Sequence, residues 1–316
     1  MKRLFLVLSI VLLIPCLSYS RTWYIKEDGS GDAPTIPAGI DSCSIGDTVL
    51  VASGTYSPTS NIYIGSSAAD SFYVIGETDP SPTIIDCSST AVGIVIEGRY
   101  DRFLQLSGFE IRNAASGAIA INLSPDGLII IEDNIFHSNG GVAIGLNQSS
   151  GVIIRRNLIY SNLKGISCIE SGGVQIIENT IAYHSGSQAY GLYLDSAFLG
   201  NTVQKNIICH NDAILGVTQD NSIFECNNIF NNTVNLDSYI GVDGNFAEDP
   251  QFCSMTPNTD GNFYLQSDSP CMPENHPDGD ACGLIGSRPN GCGVTGTEER
   301  SWGDIKKLMK SSSNSR

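Results

Sequence analysis

Ile131-Glu-Asp-Asn134-Ile-Phe136 recurs four more times before residue 232. The later copies are Ile154-Arg-Arg-Asn157-Leu-Ile159, Ile176-Ile-Glu-Asn179-Thr-Ile181, Val203-Gln-Lys-Asn206-Ile-Ile208 and Phe224-Glu-Cys-Asn227-Asn-Ile229. The five asparagines stand 23, 22, 27 and 21 residues apart. A period of this size marks a stacked architecture, in which no unit buries its apolar side chains without its neighbours. After each copy comes a second turn, at Asn139, Asn162, Asn211 and Asn232, with His184 in that place once. A third apolar strand follows, as in Val142-Ala-Ile144-Gly-Leu146 and Gly191-Leu192-Tyr-Leu194, with small or polar residues between the apolar ones. That alternation is the mark of a strand with one buried face.

Three strands and three turns per period of about 22 residues describe one coil of a parallel β-helix. Asparagine suits its turns because it tolerates left-handed backbone angles and its amide bonds to neighbouring chain. With coils about 4.8 Å apart, Asn134, Asn157, Asn179, Asn206 and Asn227 are expected to stack as a ladder. Degenerate coils extend the repeat backwards through Phe72 to Ile75, Thr83 to Cys87 and Gly93 to Ile96. In Leu106-Ser-Gly108-Phe-Glu-Ile111-Arg-Asn113, Gly108 is read in the place of the first Asn. A short helix near Pro37 to Cys43 is expected to cover the open edge of the stack.

The first twenty residues read as a secretory leader: Lys2 and Arg3, an apolar run from Leu4 to Leu17, then Ser18-Tyr19-Ser20. The chain then divides into an N-terminal cap at 21–60, coils over 61–247, a Cys-rich cap over 248–293 and a tail over 294–316. Loss of Lys2 and Arg3 moves the formal charge from −16 to −18, which argues against nucleic acid or an anionic membrane as partner. No other segment is apolar and long enough to cross a bilayer. The expected location is outside the cell or on its surface.

Nine cysteines remain in a compartment where disulfides persist. The sequence-near pairing joins Cys253 with Cys271 and Cys282 with Cys292, each closing a short loop-rich segment, although spacing alone leaves the connectivity open. Cys43, Cys87, Cys168, Cys209 and Cys226 are expected to sit in the core as small apolar residues. No Cys/His spacing resembles a zinc site.

Trp23-Tyr-Ile-Lys-Glu-Asp28-Gly-Ser-Gly-Asp32, Gly46-Asp47-Thr-Val-Leu-Val51-Ala-Ser-Gly54-Thr-Tyr56 and Asp249-Pro-Gln-Phe252-Cys253 together resemble the entry and ending of a known superfamily. This is the right-handed parallel β-helix superfamily that includes pectate lyases, pectin methylesterases and polygalacturonases. The resemblance covers roughly residues 22 to 293 and rests on strand, turn and cap residues, so it implies the scaffold and export. Catalytic motifs do not follow. The paired aspartates and Gly-His-Gly of polygalacturonases are absent. Asn258-Thr-Asp260 sits in the Cys-rich cap, while Gln219-Asp220 and Asp195-Ser-Ala-Phe198 come in reverse order for a methylesterase.

For function, the resemblance implies recognition of an extracellular polysaccharide or cell-surface glycan, with lyase or hydrolase chemistry left open. The alternative is a structural or adhesive surface protein. A lyase needs a base beside the uronate carboxylate. The residues before the ladder asparagines, Asp133, Arg156, Glu178 and Lys205, alternate in sign and are the catalytic candidates. The same column also reads as a charge ladder fixing the stacking register, which is the favoured reading. No cofactor is expected, although the loop carboxylates Asp126, Glu170, Asp195, Asp212 and Asp237 leave calcium as an option. His137, His184 and His210 follow the ladder Asn by three, five and four residues, so they cannot form one column. Tyr160, Tyr183, Tyr190 and Tyr193 are the aromatics that could stack on sugars.

Overall fold

The computed structural model describes residues 20–292 except 66–67, 69–70, 80, 99–101, 125–126, 196–198, 216–220, 235–236 and 280–281. The leader read at 1–20, all but its last residue, and the tail read at 294–316 lie outside the described residues. So do Asp126, Phe198 and the Gln219-Asp220 pair.

Three parallel sheets enclose one core. A nine-stranded sheet runs from Thr22–Ile25 to Ile223–Glu225, an eight-stranded one from Gly54–Tyr56 to Asn228–Phe230, and a seven-stranded one from Ile62–Ile64 to Ile214–Leu215. Here they are called the first, second and third sheets, in the order in which the chain visits them. Every strand between the sheet edges pairs with its equivalent one coil earlier and one coil later. The result is a parallel β-helix of about eight turns, because a chain that returns to the same sheet once per period can only stack on itself. Registers are in phase: Ile119 pairs with Ile144, Ile144 with Ile166, and Ile166 with Leu192. Like residues therefore lie on like residues, and the interior is a column of Ile, Leu, Val and Phe running the length of the stack.

The N-terminal edge is covered by the helix Ile36–Ser42. Thr35 caps it by accepting from the Ala38 N–H, Pro37 sits in its first turn, and Ile36 and Ile40 are buried. Asp47 ties the entry strand down by accepting from the Arg21 N–H (2.6 Å) and the Trp23 indole (3.2 Å). At the far end Tyr239 packs on Phe224, 4.4 Å between ring centroids.

The Cys-rich segment does more than close that end. It runs back along the outside of the second sheet as a strap. Phe252, Phe263, Leu265 and Ile285 cover the outward-facing Leu158, Tyr160, Ala182, Ile207 and Cys209 in a second apolar cluster. The strap is sewn to the coils by Gly286 N–H to Lys205 O (2.8 Å) and Ser287 N–H to Thr180 Oγ1 (3.1 Å). Gly286 has φ 90°, and any Cβ there would lie 2.5 Å from Ile207 Cδ1, so glycine alone permits the approach.

The disulfides differ from the sequence-near pairing. Cys226 bonds Cys282 and Cys253 bonds Cys292, with Cα–Cα separations of 5.7 and 5.2 Å. The reason is the strap: its path brings Cys282 over the last coil, where Cys226 occupies an outward corner. Cys271 is a free buried thiol and accepts from the Asn228 amide at 3.1 Å. Cys87 and Cys168 do lie inside the coil core, whereas Cys209 is buried outside it, under the strap.

Candidate functional site

From Gly108 onward the coils turn at residues with positive φ. At the first corner these are Gly108 (81°), Asp133 (56°), Arg156 (53°), Glu178 (56°), Lys205 (56°) and Cys226 (55°), each directly before a ladder residue. Gly108 is thus the corner residue, and Phe109 takes the place of the first Asn, one residue later than the sequence alignment placed it. Its N–H donates to Asn134 Oδ1 at 3.0 Å. The ladder then continues through all five expected asparagines and one more, Asn245. A left-handed L-residue costs roughly 1–2 kcal/mol, which the buried amide bonds offset. A second ladder of Asn139, Asn162, His184, Asn211 and Asn232 stands at the next corner. A third, made of Ser124, Ser149 and Ser171, stands at the last and was not read from the sequence. Its signal was present: a serine closes that turn in three successive coils.

His184 is the variant rung. Its Nδ1 meets the Asn162 backbone, while Nε2 is buried without a partner against Gly165. Burial lowers its pKa to about 4 from 6.5. The ring stays neutral in the folded chain where the unfolded chain would already bind a proton. Stability is therefore full above pH 6.5 and is lost as pH falls towards 4, a contribution on the order of 3 kcal/mol. In His184→Asn the amide can donate to Ile159 O, as Asn162 does to Phe136 O and Asn211 to Ile181 O. We expect denaturation midpoints measured from pH 7 to pH 4 to show most of that acid loss in the wild type only; parallel curves would refute it.

The structure brings Asp133 and Arg156 together. Arg156 Nε and Nη2 bond both Asp133 oxygens at 2.9 Å, and Arg156 also reaches the buried Glu132. Glu132 accepts in addition from Arg155 (2.6 Å) and Gln105 (2.7 Å). Burial raises the Asp133 pKa against the pull of Arg156. Burial works against the Arg156 charge, but the bonds to Asp133 and Glu132 outweigh it and raise its pKa. A guanidinium held this way does not lend itself to proton abstraction. Glu178 and Lys205 join no ion pair among the described residues, and Cys226 ends the column in a disulfide. Glu132 and Arg155 went unread because they lie on the strand, one position before the corner, although the doublets Glu132-Asp133 and Arg155-Arg156 were visible.

The three histidine offsets correspond to three different places. His137 lies on the second sheet, His184 in a ladder, and His210 (φ 56°) at a corner. Of the loop carboxylates, Glu170 accepts from Gln148 (2.7 Å) and Asp212 from the Gly186 N–H (2.8 Å). No three His, Cys, Asp or Glu gather into a metal-sized group among the described residues.

Tyr160 is buried under the strap and Tyr183 is half-covered by it, with Phe263 at 4.9 and 6.1 Å from their rings. The third sheet is different. Tyr63, Val95, Ala120, Gly145, Ser167 and Tyr193 are register partners along its outer face. Val95, Ala120, Gly145 and the buried Ser167 separate Tyr63 from Tyr193, and Leu215 follows Tyr193 in register. One flank carries Glu97, Asn122, Asn147, Ile169 and Asp195; the other ends in Lys164 and Tyr190. Tyr63 is half exposed and donates to Glu97 (3.0 Å), and Lys164 lies 5.1 Å over the Tyr190 ring, which is 5.4 Å from Tyr193. At about 4.8 Å per rung the row spans roughly 24 Å.

The family described as "Periplasmic copper-binding protein (NosD)" matches residues 45–269. The crystal structure of pectate lyase Pel9A superposes with a TM-score of 0.51 at 13% identity, over 87% of this chain and 97% of that one. Comparison with curated proteins gives no sequence match. No helix among the described residues is long and apolar enough to cross a membrane.

Proposed function

The chain belongs to the NosD family, and within it we propose an extracytoplasmic scaffold that holds a polysaccharide along the third sheet without breaking its glycosidic bonds. The carrying observation is the row from Tyr63 to Tyr193 on the outer face of the third sheet: two tyrosines five rungs apart, small residues between them, and amide and carboxylate groups along one flank. Tyrosine faces suit sugar rings, and the flanking polar groups suit hydroxyls. With Glu97 and Asp195 beside it, the row favours a neutral glycan over a uronate. Those two carboxylates are four rungs apart, about 19 Å, whereas inverting hydrolysis needs a pair roughly 6.5–9.5 Å apart.

The copper in the family's description does not fit the donors seen here. Copper prefers thiolates, thioethers and imidazoles gathered at one point. Four cysteines are spent in disulfides. Burial pushes the Cys87 thiol up to about 11 and Cys271 up to about 12, which keeps them protonated. His184 is fixed in its ladder, and the other described histidines stand apart.

A Cβ at Gly145 would meet nothing closer than 3.7 Å, and its φ is ordinary. Gly145→Phe should fill the middle of the row without straining the fold. Affinity electrophoresis against neutral glycans is expected to show at least about tenfold weaker retention, or roughly 1.4 kcal/mol, at unchanged melting temperature. Equal retention by the variant, or none by the wild type, would sink the proposal.

A further inference from the structure

The strap covers the second sheet only from the coil of Leu158 and Tyr160 onward, with Ile135 of the preceding coil packed at its edge. Beyond its edge the second sheet is open, and there Glu110, His137 and Ser138 form a chain of hydrogen bonds. Glu110 Oε1 lies 3.2 Å from His137 Nε2, and His137 Nδ1 lies 3.0 Å from Ser138 Oγ. Arg112 Nη1 donates to the same Glu110 oxygen at 2.9 Å. The His137 hydrogen bond, foremost, holds the Glu110 carboxyl below its ordinary range although burial opposes it. An ionised Glu110 accepts from Nε2–H, which leaves Nδ1 bare to accept the Ser138 proton. Tyr160 stacks flat on the imidazole at 5.0 Å and fixes its plane. Ser138 itself sits at a left-handed corner (φ 58°), exposed. The next two residues, Asn139 and Gly140, begin an open cleft of about 400 Å³ that Leu163, Tyr183 and Asn258 of the strap also line.

We propose that Ser138, His137 and Glu110 are nucleophile, base and orienting carboxylate of an esterase site that removes acyl groups from carbohydrate hydroxyls. The geometry meets the requirement of a nucleophile bonded to a base that is bonded to an orienter. Ser138 Oγ attacks the acyl carbonyl carbon as its proton passes to His137 Nδ1. The carbon–oxygen bond to the sugar breaks, and the sugar oxygen takes that proton. Water, deprotonated by the same nitrogen, then attacks the acyl-serine, releases the carboxylic acid and restores Ser138. Arg112 spends Nε on Asp86 and Nη1 on Glu110. Both bonds hold the guanidinium against the orienting carboxylate and keep Glu110 in place under His137.

The full chain should react with a fluorophosphonate probe at one residue, Ser138, by peptide mapping, and should release acetate from acetylated xylan and from p-nitrophenyl acetate. Ser138→Ala should abolish the adduct and slow release at least about 100-fold, and Glu110→Gln should slow both labelling and release. Melting should not change in Ser138→Ala, because the side chain is exposed and bonds only His137. No adduct at Ser138, or Ser138→Ala hydrolysing as fast as wild type, would overturn the assignment. Glycan retention through the third sheet, read with Gly145→Phe, is a separate measurement and fails or stands by itself.

Discussion

Asn157→Ala should lower stability by about 4 kcal/mol, one of the largest effects expected of any single substitution in the coils. The side chain is fully buried. Its amide donates to Ile131 O (2.8 Å), Arg155 O (3.0 Å) and Asn179 Oδ1 (3.0 Å). Its oxygen accepts from both the backbone and side-chain nitrogens of Asn134, each at 3.1 Å. Removing it strands donors and acceptors from three consecutive coils in a place that water does not reach, at about 1–3 kcal/mol for each buried group left unmade. For a chain of this size that is a fall in melting temperature on the order of 10 °C. Asn157→Asp should do little better, since a carboxylate keeps the acceptors but has no hydrogens to donate. A loss below about 1 kcal/mol in chemical denaturation would mean that the ladder is decoration rather than a structural element.

Opening the Cys226–Cys282 bridge by replacing both residues with Ser should have an effect of similar size. The bridge closes a separation of 56 residues, for which the loop-entropy account gives about 4 kcal/mol. The location of the loss is the sharper expectation. The bridge fastens the strap, and the strap covers the second sheet with its own apolar cluster. Coils in a stacked fold touch only their neighbours, so the strap can come away while the coils persist. Limited proteolysis should cut the double variant between residues 250 and 292 and leave the strand region whole. Simultaneous digestion of both regions would show that strap and stack unfold as one.

The scaffold was legible because one residue type in one place recurs. Each ladder Asn must accept from the rung before and donate to the rung after, so its identity is fixed by bonds within the stack. The corner before it carries no such demand: Asp133, Arg156, Glu178, Lys205 and Cys226 share a backbone conformation and nothing else. Their alternating charges drew attention, yet the tightest cluster also enlists Glu132 and Arg155 from the flat of the sheet. The esterase constellation joins residues 27 and 28 apart, which become neighbours only because one coil lies on the next. The row on the third sheet depends on Ala120, Gly145 and Ser167, whose value is that they are small, and smallness leaves no motif. The strap was hidden for a different reason. Its cysteines look self-sufficient in the sequence, and nothing near Cys226 announces that the chain will come back to it.

The coil between Asn179 and Asn206 is 27 residues long, against 21 to 23 for the others. Its strands still pair in register on all three sheets. The surplus bulges out where the chain leaves one sheet for the next, and the ladders run past it undisturbed. Perimeter and height are therefore independent quantities in this molecule. A gene encoding it can lengthen a corner to build a new wall for a ligand, or duplicate a whole coil to lengthen the row by about 4.8 Å. Neither event asks the interior to repack. Such a body can change its length by counting in units of one turn.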